Sequence, residues 1–144
     1  MSTKDPYAVF RPRRGSLVAW GCALAVLLVF GGLALLGPGG GWTVADRLLL
    51  AAFAVLVAAG LGRFGMVRAV PSREGLLVIN LVHHRQVEWA QILRVGTFHG
   101  GSPWLVLELS DTEHLSVMGI QRADGEFARG EAARLAALVQ HHSS

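Results

Sequence analysis

Six histidines and ten carboxylates are the side chains with the most chemistry to offer in this 144-residue chain. A metal site needs several of them to converge. His83 and His84 are adjacent, and neighbours on a strand point to opposite faces, so the pair does not chelate one ion. His141 and His142 close a helical pattern, where the dipole favours positive charge. His99 and His114 stand alone, and the single cysteine, Cys22, lies in an apolar run without a disulfide partner. The HxxH, HExxH and CxxC spacings do not occur, so neither a metal nor a cofactor is expected. Glu88, Glu108, Asp111 and Glu113 read as solvated strand or turn residues. Ser102, Ser110 and Ser116 lack the strand–turn–helix setting of an activated serine. Gly96, Gly100 and Gly101 precede no helix and make no phosphate cradle. No catalytic residue is assigned, and the chain reads as a non-enzyme.

What remains is binding. Arg73, Arg85 and Arg94 are the only cations on the early strands of the C-terminal half and form a candidate contact for an anionic headgroup. Ala54, Ala58 and Gly62 recur every four residues and form a candidate helix-packing face, within the chain or between copies in a homo-oligomer.

The elements that carry these residues divide the chain in two. It is 52% hydrophobic but only 16% charged, well below the quarter usual for a soluble domain. From Gly15 to Ala45 no residue is Asp, Glu, Lys, Arg or His. Within that stretch Leu17–Leu36 is nearly all apolar, and a helix of that length spans about 30 Å, the hydrocarbon thickness of a bilayer. A second apolar run starts at Leu48 and reaches spanning length if it continues past Arg63 to Val67. A Gly/Pro cluster, Gly37-Pro38-Gly39-Gly40-Gly41, separates the runs, and Trp42 and Trp20 suit a membrane interface. The expected layout is a basic cytoplasmic tail at 1–15 and a transmembrane hairpin at 16–67, with helices over 16–36 and 46–67 and a turn over 37–45. A compact cytoplasmic domain follows at 68–144.

Charge orients this arrangement. Lys4, Arg11, Arg13 and Arg14 precede the first run, Asp46 and Arg47 cancel in the loop, and Arg63, Arg68 and Arg73 follow the second. The positive-inside rule then puts both termini in the cytoplasm and the chain in the inner membrane. The pI near 10.0 therefore reflects membrane-flanking charge. Residues 68–144 hold seven arginines against eight acidic residues and no basic run, which excludes nucleic acid as a partner.

Beyond Arg68 the pattern shortens and alternates. Leu76–Asn80, His83–Trp89, Ile92–Phe98, Trp104–Leu109 and His114–Met118 predict strands of an antiparallel meander. Arg85, Val87 and Trp89 fall on one face of the second. A helix is predicted over 124–141, with Asp124 as its N-cap and Ala128, Ala132, Leu135 and Val139 inward. Arg129, Glu131 and Arg134 lie off that face, and a Glu131–Arg134 pair is worth tenths of a kcal/mol. The fold class is α+β.

Several residues in order resemble a known family. Gly75-Leu76 opens a strand ending at Asn80. Val87-Glu88-Trp89 with Ile92 follows, then Pro103-Trp104 with Leu107 and Leu109. Val117-Met118-Gly119-Ile120-Gln121 leads to Asp124-Gly125. The set, over residues 68–140, resembles the bacterial pleckstrin-homology (PH) domains of two-span actinobacterial membrane proteins, of the low-molecular-weight protein antigen 6 type. One departure is Asp111-Thr112-Glu113, where that family commonly has Asp-Gly. The resemblance implies a PH-like antiparallel split barrel capped by the C-terminal helix, and it supplies no catalytic residues. The expected function is membrane-anchored binding or scaffolding at the cytoplasmic face, with the lipid bilayer and a protein as partners. The alternatives are an accessory subunit of a larger membrane complex and a lipid-headgroup sensor.

Overall fold

The computed structural model describes residues 5–37, 39–96, 98 and 101–143; Lys4, Pro38, Thr97, His99 and Gly100 lie outside them. Two compact units result. One is the segment Ser16–Gly65, and the other joins the N-terminal residues through Gly15 to Met66–Ser144.

The first unit is a pair of helices, α1 (Arg14–Leu36) and α2 (Val44–Gly65). Both are long and apolar enough to cross a membrane. α2 starts two residues before the predicted 46 because Thr43 caps it. The Thr43 hydroxyl accepts the Asp46 amide at 3.2 Å, and the Asp46 carboxylate accepts the Thr43 amide at 2.9 Å. Arg47 serves the neighbouring helix end. Its guanidinium donates to the carbonyls of Ala34 at 2.8 Å and Gly37 at 3.4 Å, which a helix end otherwise leaves unpaired. Near the other ends of the helices, the Ser16 hydroxyl donates to the Gly65 carbonyl at 2.9 Å. Phe30 and Phe53 meet edge to face at 5.9 Å.

The second unit holds β1 (Arg68–Pro71), β2 (Gly75–Ile79), β3 (His84–Glu88), β4 (Ile92–Gly96), β5 (Trp104–Leu109), β6 (His114–Gln121) and α3 (Glu126–Ser143). They form two antiparallel three-stranded sheets, β1-β2-β3 and β4-β5-β6. β1 has no counterpart among the predicted strands. Trp89 leaves the β3 alternation for a short 3-10 turn, Trp89–Gln91, where its indole is buried and donates to the Ser72 carbonyl at 2.8 Å. β4 stops at Gly96, short of Phe98, and β6 runs three residues beyond Met118.

Alternation along β2, β5 and β6 supplies the core: Leu76, Val78, Leu105, Leu107, Val117 and Ile120 are buried against Leu135 and Leu138 of α3. Two devices bring the sheets together. The Asn80 amide donates to the Ser116 carbonyl at 2.7 Å and accepts the Met118 amide at 3.1 Å, so one side chain at the end of β2 stitches onto β6. At Gly119 the chains nearly touch. A Cβ there would lie 2.7 Å from the Phe10 carbonyl oxygen and 3.0 Å from the Arg68 Cα, so only glycine lets β6 pass β1 this closely.

Three expectations need correction. The N-terminal segment is not a free tail. Phe10 is completely buried and bridges Ala69 through paired backbone bonds of 2.8 and 2.9 Å. Asp124 does not cap α3, which starts at Glu126. Its carboxylate accepts the amides of Arg13 at 2.7 Å and Arg14 at 2.8 Å, because a strap passes where the sequence pattern offers only water. Glu131 is buried, not solvated, and its pairing with Arg134 at 2.8 Å is shielded from water.

Candidate functional site

The strap and α3 meet around Arg134. Its guanidinium lies 3.8 Å from the centre of the Phe10 ring and donates to the carbonyls of Pro6 at 2.9 Å and Ala8 at 2.8 Å. Glu131 fixes the same group from one turn away. All three nitrogens of this cation donate to other groups of the protein, so its role is structural. Farther along α3, the His142 ring stacks on Trp89 with centroids 4.9 Å apart and bonds the Tyr7 hydroxyl at 2.9 Å. Spacing alone gave no signal for either contact, since Tyr7 and His142 are 135 positions apart.

The three candidate headgroup arginines do not converge. Arg73 is exposed in the β1–β2 turn, beyond the Gly75 end of β2. Arg85 sits opposite Val78 near the other end of that strand, about 10 Å from Gly75 at the rise of a strand. Arg94 belongs to the other sheet, opposite Glu108. Arg85 is also occupied. It donates to Glu113 at 2.6 Å and Asp111 at 3.4 Å across the β5–β6 turn, and the Glu113 bond raises its pKa further. The helix-packing residues Ala54, Ala58 and Gly62 are the buried positions of α2. The Trp20 ring lies where a Cβ on Gly62 would meet it at 3.3 Å, so this face is covered inside the helix pair.

The histidines gather in a way the strand pattern did not reveal. A groove of about 660 Å³ opens between the β2–β3 turn and the start of β6, where the Asn80 stitch brings the two sheets together. His83, His84 and His114 line it with Arg85, beside the apolar Val82 and Met118. Val82 is 73% exposed at the tip of the turn. Among the described residues no cluster of His, Cys, Asp and Glu is able to hold a metal ion. The groove offers shape, apolar contact and weakly basic rings, which suit recognition better than bond-breaking.

Comparison with known proteins agrees with this architecture. A family model described as a bacterial PH domain matches residues 66–137. Uncharacterized proteins of Mycobacterium bovis and Mycobacterium tuberculosis are 35% identical over 124 residues, covering 83% of this chain and 80% of theirs. No solved structure matches the chain.

Proposed function

The chain belongs to the bacterial PH domain family, and on that premise we propose that it is a non-enzymatic binding or scaffolding module held at the cytoplasmic face of the inner membrane. One observation carries the reading: in a single chain, a PH-family unit is joined to two helices whose outward side chains are large and apolar. Leu17, Leu24, Leu28, Leu48, Leu49 and Leu56 are all more than half exposed. A patch of that extent needs lipid or protein cover. The arginines before α1 and after α2 support a cytoplasmic location for both termini under the positive-inside rule, and two antiparallel sheets followed by α3 are compatible with a capped split barrel.

Of the two partner classes, the reading favours protein. A headgroup sensor needs converging free cations, and Arg73, Arg85 and Arg94 are dispersed, with Arg85 already bound to two carboxylates. An accessory subunit would assemble through the outer leucines, because Ala54, Ala58 and Gly62 face inward. The test has two arms. Reporter fusions at Gly40 and after Ser144 are expected in opposite compartments, and the chain is expected in the membrane pellet after ultracentrifugation without detergent. In-cell crosslinking from the β-rich unit is expected to capture one recurrent protein. Equal reporter signals or a soluble chain overturns the anchoring, and crosslinks to lipid alone overturn the protein partner.

A further inference from the structure

Positive charge gathers where the strap runs into α1. Phe10 and Ala69 face each other in an antiparallel bridge and are both completely buried, so the adjoining pair, Arg11 and Arg68, meets on the opposite, outer side. Like charges at facing positions repel, and an anion between them reverses the sign. Burial alternates along the strap, with Phe10 and Pro12 inside and Arg11 and Arg13 outside. Arg13 lies over the Phe127 ring at 5.0 Å. The Arg14 guanidinium reaches the Ala123 carbonyl at 3.5 Å, one residue from the exposed Arg122. None of these arginines has an ion pair among the described residues. The carboxylate within the cluster, Asp124, is buried, and its two oxygens accept the backbone amides of Arg13 and Arg14.

We propose that Arg11, Arg68 and Arg122, with Arg13 and Arg14, form a site for the phosphate groups of anionic bilayer lipid. The proposal rests on the anchored-module reading above; it adds a lipid contact to the anchor and leaves the protein-binding surface open. α1 selects lipid as the source of the phosphate. The helix begins at Arg14, and Leu17 and Val18, 75% and 62% exposed, follow within about one turn. Only about 5 Å along the axis separates cation from exposed hydrocarbon, the order in which a bilayer presents phosphate and acyl chain. A soluble phosphate or an acidic protein segment would satisfy the charge and leave those apolar side chains in water. The arginines are spread over a strap, a strand end and a turn, which suits several phosphates of a charged surface rather than one recognised headgroup. Arg73 lies beyond the far end of β1, so this cluster is distinct from the headgroup contact expected from the sequence.

The experiment titrates the full chain, in micelles of an uncharged detergent, with phosphatidylglycerol and with phosphatidylcholine carrying the same tail fluorophore, and reads anisotropy. Contacts with the tails are common to both lipids, so the ratio of affinities isolates headgroup charge. Each arginine near an anionic surface is worth about fivefold, so phosphatidylglycerol should bind at least about tenfold more tightly. Arg11→Glu combined with Arg122→Glu should abolish that preference, since both side chains are exposed. Arg11→Lys combined with Arg122→Lys should keep it, which separates charge from misfolding. Arg73→Glu, the same charge change elsewhere in the unit, should leave it unchanged. The proposal is overturned if the two lipids bind equally, if the double charge reversal keeps the preference, or if Arg73→Glu removes it as fully. It is also overturned if inorganic phosphate or polyglutamate binds the chain more tightly than phosphatidylglycerol and loses as much in the double variant. The outcomes separate from those above: an anchored chain without lipid preference refutes this site alone. A chain that shows the preference in micelles but stays soluble on ultracentrifugation refutes the anchoring alone.

Discussion

The two units of this protein solve the packing problem in opposite senses. In the β-rich unit the large apolar side chains are inside: Phe10, Leu76, Leu105, Leu107 and Leu135 are fully buried. In the helix pair the buried residues of α1 and α2 are small, Ala19, Ala23 and Ala34 against Ala54, Ala58 and Gly62, and the leucines point outward. Water drives the first arrangement, because burying large apolar surface is the main gain available there. It gives no reason for the second. Close contact between small residues, with long apolar side chains turned away, is the arrangement expected where the surroundings are as oily as leucine and association depends on fit. The two units thus bury opposite kinds of side chain, large apolar ones in the first and small ones in the second.

The comparison breaks first at Phe10. Phe10→Ala empties a fully buried aromatic site and removes the ring beneath Arg134, so the β-rich unit should lose about 3–5 kcal/mol. Denaturation of the full chain in micelles, followed by Trp89 fluorescence, reads this directly, and a loss below about 1 kcal/mol would show that the strap is dispensable. Glu131→Ala comes next. It leaves the Arg134 guanidinium, only 12% exposed, without its carboxylate, and stranding one member of a buried pair costs about 3 kcal/mol. A drop of only a few tenths would restore the solvated pair that the sequence suggests.

These two residues also mark where the sequence stops being legible. The division into an apolar half and an alternating half is written in local composition, and so are the α+β class, α3 and most strands. Hydrophobic periodicity records which face of an element is covered, and the sheets and α3 are covered in the ordinary way. What periodicity does not record is a distant segment arriving to cover a polar position. The burial of the Glu131–Arg134 pair and the true partners of Asp124 were not legible because what meets them, Phe10 and the carbonyls of Pro6 and Ala8 at Arg134 and the amides of Arg13 and Arg14 at Asp124, lies over a hundred positions away. The dispersal of Arg73, Arg85 and Arg94 was not legible for the related reason that strand membership does not fix which sheet, or which end of it, a side chain occupies. The histidine groove depends on the Asn80 stitch, which no spacing rule announces. Ala54, Ala58 and Gly62 were legible as a helix face; that the face is covered within the chain follows from Trp20 and α1.

The small-residue core is probed by Ala58→Leu. In a water-facing core built of large side chains an added isobutyl group has some chance of filling space, but here it meets the neighbouring helix. Overpacking of this kind costs about 1–3 kcal/mol. The effect should appear as splaying of the helix pair, read by distance measurements between labels on α1 and α2. Trp89 fluorescence, read with Trp20, Trp42 and Trp104 replaced by Phe, should stay unchanged because that residue belongs to the other unit. A shift in both signals would mean that the two cores are energetically one.

The smallest expected effect sharpens the comparison from the β-rich side. Thr112 adopts φ 68° in the β5–β6 turn, a left-handed conformation that is costly for a β-branched residue. The turn is held around it: the Asp111 carboxylate accepts the Glu113 amide at 3.1 Å, and the Thr112 amide donates to the Leu109 carbonyl at 3.1 Å. The turn therefore keeps a glycine-like geometry with a threonine in place. Thr112→Gly should relieve that strain, offset in part by the greater freedom glycine has when unfolded, for a net stabilisation of about 1 kcal/mol. The gain should be confined to the β-rich unit and leave the Arg85 pairs with Asp111 and Glu113 intact. A destabilised variant would mean that the threonine side chain itself holds the turn.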